Sequence, residues 1–236
     1  MATIVLVHGA GGRASQWFLV APLLEAAGHE VLAVDLPCDE GAPLSAYVDS
    51  VVEAVGDRRG DLVLVAQSLA GLVAPLVCER VPVDLMVLLA AMVPVPGETG
   101  GEWWSGTGHA EAMAAQHLTD DSEEAVFLHD VPPEVLAVVE PPRDQDGVVF
   151  EDPSPMAAWP AVPTRFLLCR DDRFFPADWL RGVVRERLGI EPDEIPGGHC
   201  AYLSRPEVVA ASVLSCWADV EGARRDGQGA EGHASA

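Results

Sequence analysis

The chain has 236 residues, 49% apolar and 22% charged, with 37 acidic side chains against 14 basic ones and a net charge of −23. Every basic side chain is arginine, so a lysine Schiff base, a P-loop lysine and a lysine general base are all excluded. The negative charge argues against nucleic acid and membrane as partners, since both call for a cationic surface, while the apolar fraction is that of a folded chain.

The elements alternate. Residues 4–7 form a short apolar run read as a buried strand, without the basic start and small-residue cleavage site of a secretory leader. Helical spacing over 17–27 stops at Gly28, and a second strand covers 30–34. A helix over 44–55 ends at Gly56, followed by a strand at 62–65, a helix over 69–80 and a strand at 85–89. After a break come a strand at 165–168, a helix over 177–188 stopping at Gly189, and a last helix over 205–220. Strands apolar on both faces, separated by helices, predict a mostly parallel central sheet flanked by helices, an α/β fold. The break, residues 94–160, is rich in Pro, Gly, Trp and acid, with helical patches at 110–117 and 134–139. It reads as an inserted cap on a core made of 1–93 and 161–220, and 221–236 reads as a disordered tail.

Five cysteines (Cys38, Cys78, Cys169, Cys200 and Cys216) are an odd number without CxxC spacing, which fits reduced thiols better than a disulfide framework or a zinc site. No apolar run approaches the roughly 18 residues of a membrane span. The expectation is a soluble cytoplasmic protein, monomer or homodimer, acting on a small molecule.

The strongest chemical signal is Ala66-Gln67-Ser68-Leu69-Ala70-Gly71, where a buried strand meets a helix at a serine between small residues. Alone, Ser68 could equally cap that helix. The segment resembles the nucleophile elbow of α/β-hydrolases, G-x-S-x-G, with Ala66 and Ala70 in the glycine places. His8-Gly9-Ala10-Gly11-Gly12 resembles the oxyanion loop of the same superfamily. The resemblance places the oxyanion donors at the backbone N–H groups of Ala10 and Leu69, and His8 reads as a structural residue beneath the loop. Neither GxGxxG nor GxxxxGK[ST] is present, so a dinucleotide or phosphate loop is set aside.

Residues 167–176, ending Arg170-Asp171-Asp172-Arg173-Phe174-Phe175-Pro176, resemble the superfamily's acid loop, G-x-x-D-x-x-x-P, with Cys169 in the glycine place. The match puts the acid at Asp172; Asp171 and Glu98 are the alternatives, Asp171 otherwise turning to solvent or Arg170. The histidine is His199, after two glycines. Ser68, Asp172 and His199 then form a catalytic triad in the order Ser…Asp…His, with His199 relaying the proton and Asp172 fixing its tautomer.

Residues 5–10, Trp17, 22–29, 33–36, 68–71, 86–94 and 204–206 narrow the resemblance to the methylesterase and hydroxynitrile lyase branch of that superfamily. Lyases of the branch resemble one another in a threonine in place of the oxyanion-loop glycine and a lysine after the catalytic histidine. Here those places hold Gly9 and Cys200. The resemblance therefore implies a serine hydrolase of small neutral carboxylic esters, needing no metal or organic cofactor. Two other functions stay open: a low-turnover receptor-like binder, and a thioesterase or acyltransferase of a biosynthetic pathway. Expected substrate-binding residues are Gly9, Gln67, Trp103, Trp104 and Cys200, with Met113, Phe127, Leu128, Trp159 and Val162 as further pocket candidates. Cys200 is read as lining, not as a nucleophile. Residues 94–160 carry fourteen acids and one arginine, Arg143, more than half the net charge. If these acids frame the entrance, their field favours neutral or cationic esters over anionic ones.

Overall fold

A computed structural model describes residues 1–39 and 41–231, and the side chains as far as 226. Its strands are β1 (Thr3–Val7), β2 (Glu30–Val34), β3 (Leu62–Gln67), β4 (Leu85–Leu89), β5 (Thr164–Cys169) and β6 (Asp193–Ile195). They form one sheet in the order β2-β1-β3-β4-β5-β6, every pairing parallel. All five expected strands are present. The unexpected β6 is a three-residue edge strand of mixed polarity, too short and too charged to register as an apolar run.

Helices α1 (Ala21–Ala26), α2 (Leu44–Val55) and α3 (Ala70–Cys78) connect the first four strands. Between β4 and β5 come α4 (Gly100–Gly106), α5 (His109–Ala115), α6 (Glu123–Phe127) and α7 (Pro133–Leu136); α8 (Ala177–Leu188) joins β5 to β6, and α9 (Ala201–Ser204) and α10 (Pro206–Glu231) follow β6. The expected helix over 17–27 is shorter: a 3-10 turn at Ala14–Trp17 precedes α1, which begins at Ala21 and carries Pro22 in its first turn, where the missing N–H costs nothing. In the β4–β5 segment α4 and α6 escaped the periodicity. Each is a short helix built on a side-chain cap, Thr99 accepting from Glu102 N–H at 3.0 Å and Ser122 from Ala125 N–H at 3.3 Å.

The tail is corrected. Helix α10 continues beyond residue 220 to Glu231, while 232–236 lie outside the described residues. Arg224 holds the extension to the body of the protein: it pairs with Asp84 and Asp61 and lies over the Trp217 ring, 5.5 Å from its centroid. Among the described residues no helix is long and apolar enough to cross a membrane.

Two apolar cores cover the two sheet faces. One packs α2, α3 and α8 against the sheet, and the other packs α1 and α10. The chain leaves β1 to one side for β2 and returns to the other for β3, so the sheet order reverses at β1. In such sheets the crevice at the strands' carboxyl ends is the natural ligand site.

Close packing at that crevice depends on Gly71. A Cβ there would overlap the Met92 carbonyl oxygen, whereas one at Gly182, exposed within α8, would meet nothing. Gly71→Ala should destabilise by about 3 kcal/mol or more through forced backbone movement, and Gly182→Ala should stabilise by about 0.5–1 kcal/mol. Urea unfolding midpoints of the two variants, measured side by side, check the opposite signs.

Candidate active site

β3 ends at Gln67 and the next residue, Ser68, has φ +52°. A non-glycine residue in the left-handed region stores of order 1–3 kcal/mol and persists only where its surroundings fix it. They do so here. Ser68 N–H donates to Leu89 O (3.2 Å), and Ser68 O accepts from Gly71 N–H (3.0 Å) and Met92 N–H (2.9 Å). The hydroxyl is thereby pushed off the strand end toward His199, whose Nε2 lies 2.9 Å from Ser68 Oγ.

On the other side of the ring, His199 Nδ1 lies 2.8 Å from Asp172 Oδ2. The second oxygen, Oδ1, accepts from Phe174 N–H (2.8 Å) and Phe175 N–H (2.9 Å), so the carboxylate is held at both ends. Ser68, His199 and Asp172 are all buried, at 8%, 3% and 4% exposure. Phe127, Phe174 and Phe175 pack around the imidazole with centroids 5.1–5.4 Å away, which keeps bulk water from its sides.

The alternative acids are otherwise employed. Asp171 is exposed, as expected, and is also bonded: its Oδ2 accepts from Gly197 N–H (2.9 Å) while its own N–H donates to Gly197 O (3.0 Å), tying the loop after β5 to the loop carrying His199. Asp130 adds a second tie, accepting from Gly198 N–H at 2.9 Å. Glu98 pairs with Arg187 at 2.6 and 2.9 Å, away from Ser68.

After β1 the chain turns sharply, Gly12 N–H donating to Gly9 O at 3.2 Å. A Cβ on Gly9 would come within 2.7 Å of Ser68 Cβ, so only glycine lets this loop lie against the serine. Among the described residues the N–H groups of Ala10 and Leu69 donate to no protein acceptor. His8 lies beneath, fully buried. Its Nδ1 donates to Gly9 O (2.8 Å) and its Nε2 accepts from Leu36 N–H (3.0 Å), an arrangement that needs a neutral ring. Burial lowers its pKa to about 4.

Ser68 opens into a cavity of about 890 Å³. Of the expected substrate-binding residues, Gly9, Gln67, Trp104 and Cys200 line it. Trp103 does not. It is fully buried in the core, donating Nε1–H to Val93 O (3.1 Å) and packing on Phe175 at 5.6 Å, and so anchors the β4–β5 segment to the core. Phe127 and Leu128 also line the cavity; Met113, Trp159 and Val162 lie outside its walls. Cys200 stands in the cavity wall, and burial pushes its thiol up to about 12, which disfavours the thiolate. Glu123, Glu124, Glu140 and Asp144 line the cavity, so a minority of the segment's acids face it.

Several residues escaped sequence reasoning. Phe174 sat inside the acid-loop motif but carried no role, and Gln16, Leu136, Val139, Phe150 and Tyr202 also line the cavity. Arg143 registered as a charge alone. Its being the single cation in an acidic segment was the available signal.

The model of the alpha/beta hydrolase family matches residues 4–212. The chain is 38% identical over 250 residues to the probable esterase PIR7A of Oryza sativa subsp. indica, covering 89% of this chain and 94% of that one. It is 28% identical over 239 residues to a pyrethroid hydrolase of Sphingobium wenxiniae, covering 89% and 85%. The crystal structure of a pyrethroid hydrolase from Sphingobium faniae JZ-2 superposes with a TM-score of 0.75 at 25% identity, covering 92% of this chain and 97% of that one.

The buried neutral His8 links stability to pH. Its folded pKa, about 4, lies below the ordinary 6.5, so between those values the unfolded chain binds a proton that the folded one refuses. Stability from this group is complete above about pH 6.5 and drains away as pH falls toward 4, by about 3 kcal/mol in all. In His8→Gln the fall in unfolding free energy across that window should be shallower by up to one proton, at lower stability at pH 7; urea titrations from pH 7 to 4 measure both.

Proposed function

This chain belongs to the alpha/beta hydrolase family, and from that premise we propose that it is a serine hydrolase of carboxylic esters, working through an acyl-enzyme on Ser68. The observation that carries the reading is the unbroken line from Ser68 Oγ through the His199 ring to Asp172, at 2.9 and 2.8 Å, on the floor of a largely apolar cavity.

In the proposed reaction Ser68 Oγ attacks the ester carbonyl carbon as its proton passes to His199 Nε2. Asp172 holds the other ring nitrogen and stabilises the imidazolium. The carbonyl oxygen takes the electron pair and sits between the N–H groups of Ala10 and Leu69. Each such donor contributes on the order of 3 kcal/mol to the transition state. Collapse expels the alkoxide, which takes the proton from Nε2, and leaves the acyl group on Ser68. Water then repeats the sequence with His199 as base, releasing the acid.

The β4–β5 segment is proposed as the roof of the site, with Phe127, Leu128, Leu136, Val139 and Phe150 supplying apolar surface for the ester's non-reacting groups. Gly9 and Cys200 occupy the places where branch lyases resemble one another in threonine and lysine, which supports hydrolysis over cyanide release.

A p-nitrophenyl ester of a short acid should give a burst of p-nitrophenol equal to the enzyme present. In Ser68→Ala the burst should vanish and turnover fall by at least about 10⁴-fold, with unchanged folding by circular dichroism. A wild-type protein that binds the ester without a burst would favour the receptor-like function instead.

The four carboxylates on the cavity wall also bear on the choice of substrate. At about 10 mM salt, kcat/KM for a neutral ester should exceed that of its carboxylate-bearing isostere several-fold, and the gap should narrow at about 0.5 M salt. Equal values at low salt would show that the wall charges do not select.

A further inference from the structure

We propose that Arg143 and Gln145, in the segment between β4 and β5, are positioning residues for the backbone N–H of Ala10, and so set how well the loop after β1 receives the oxyanion. The inference rests on the esterase reading and assigns a task to a part of the chain outside the triad.

A loop of sequence Gly-Ala-Gly-Gly can aim an N–H almost anywhere, and that freedom works against a preorganised donor. Something must hold it. Its own turn contributes one bond, Gly12 N–H to Gly9 O. The polar groups further along are engaged by the β4–β5 segment. Gly11 N–H donates to Gln145 Oε1 (3.1 Å), and Gly11 O accepts from Arg143 N–H (2.7 Å). Gly12 O accepts from Arg143 Nε (3.0 Å) and Nη2 (2.7 Å). Ala10 thus sits between a residue packed on Ser68 and two residues clamped from above.

Both clamps are themselves fixed. Gln145 Nε2 donates to Tyr47 Oη (2.9 Å) and Asp146 O (2.8 Å), which assigns the amide orientation and leaves Oε1 for Gly11. The Arg143 guanidinium has Asp35 and Asp39 each 3.7 Å away, and its Nη2 lies 3.3 Å from His8 Nε2. Both clamp residues also form part of the cavity wall, but the polar atoms named here are turned to the loop and its neighbours. The fit is also tight: a Cβ on Gly11 would stand 2.6 Å from Arg143 O.

The test compares wild type, Arg143→Ala and Gln145→Ala, with kcat referred to burst-titrated sites. Inhibition is measured with an aryl trifluoromethyl ketone, which forms an oxyanion on Ser68, and with its methyl ketone isostere, which does not accumulate one. Loss of the clamp should lower kcat about 10- to 100-fold, less than deletion of a whole donor, with KM within about twofold. The trifluoromethyl ketone should weaken in parallel and the methyl ketone stay unchanged. Amide exchange should accelerate at residues 10–12 and not at 66–72. A kcat within twofold of wild type, a rise in KM alone, or equal weakening of both ketones would overturn the proposal. Should Arg143→Ala not fold, Gln145→Ala, which deletes only the acceptor for Gly11, carries the same comparison. Wild type without a burst would instead overturn the esterase reading, and the exchange comparison would then judge the clamp by itself.

Discussion

The site depends on how closely three backbone segments approach one another at the carboxyl ends of β1, β3 and β4. Ser68 keeps its positive φ because its N–H and C=O are bonded to Leu89, Gly71 and Met92, all from the neighbouring strand end or its own helix start. The approach is possible only because Gly9 and Gly71 lack a side chain: a Cβ on either would collide with Ser68, Gln67 or Met92. The superfamily's two elbow glycines are alanines here, at Ala66 and Ala70, both fully buried. The steric demand has not disappeared but falls on Gly71, one residue on. The backbone strain at the serine is offset by the parallel ladder beneath it, which is buried on both faces and leaves the strand ends no freedom to relax.

A second layer holds the histidine. Asp172 orients the ring directly, while Asp171 and Asp130 grip the peptide groups of Gly197 and Gly198. Three carboxylates therefore converge on one short loop, only one of them through the imidazole. The two glycines that let the loop reach the serine would otherwise leave it slack, and the flanking acids remove that slack. Phe174 and Phe175 combine two roles in the same way, since their N–H groups fix Asp172 and their rings shield His199.

What could be read from the sequence was what is local and repetitive. Buried parallel strands are continuous apolar runs, and the long helices carry their period openly, so the core alternation was legible, as were Ser68, Asp172 and His199 at the strand ends. Edge strand β6 was not, because three residues of mixed polarity carry no pattern. The β4–β5 segment was legible only as an interruption. Its helices are short and held by caps and by burial of single large side chains, Trp103 above all, and such contacts are tertiary. The same limit explains Trp103 itself: two adjacent tryptophans on a helix lie only about 100° apart, here with their rings meeting edge-on at 4.8 Å, and only the packing decides that Trp104 meets the cavity while Trp103 is buried in the core. Arg143 shows the limit most clearly, its partners lying more than a hundred residues away in the chain.

The strap of residues 140–146 touches two things at once. Residues 140 to 145 all line the cavity, and two of them, Arg143 and Gln145, also hold the loop after β1. One stretch of chain thus supplies part of the cavity wall and the two residues that brace the loop beside the serine, and those two belong to the wall as well. The segment is inserted between adjacent strands, so exchanging it would leave the sheet's hydrogen bonds untouched. Exchanging it would nevertheless remove the braces together with the walls. On the proposed role of the clamp, selectivity and turnover are inherited together, and a graft that brings a new binding surface must also bring its own means of stiffening the loop below.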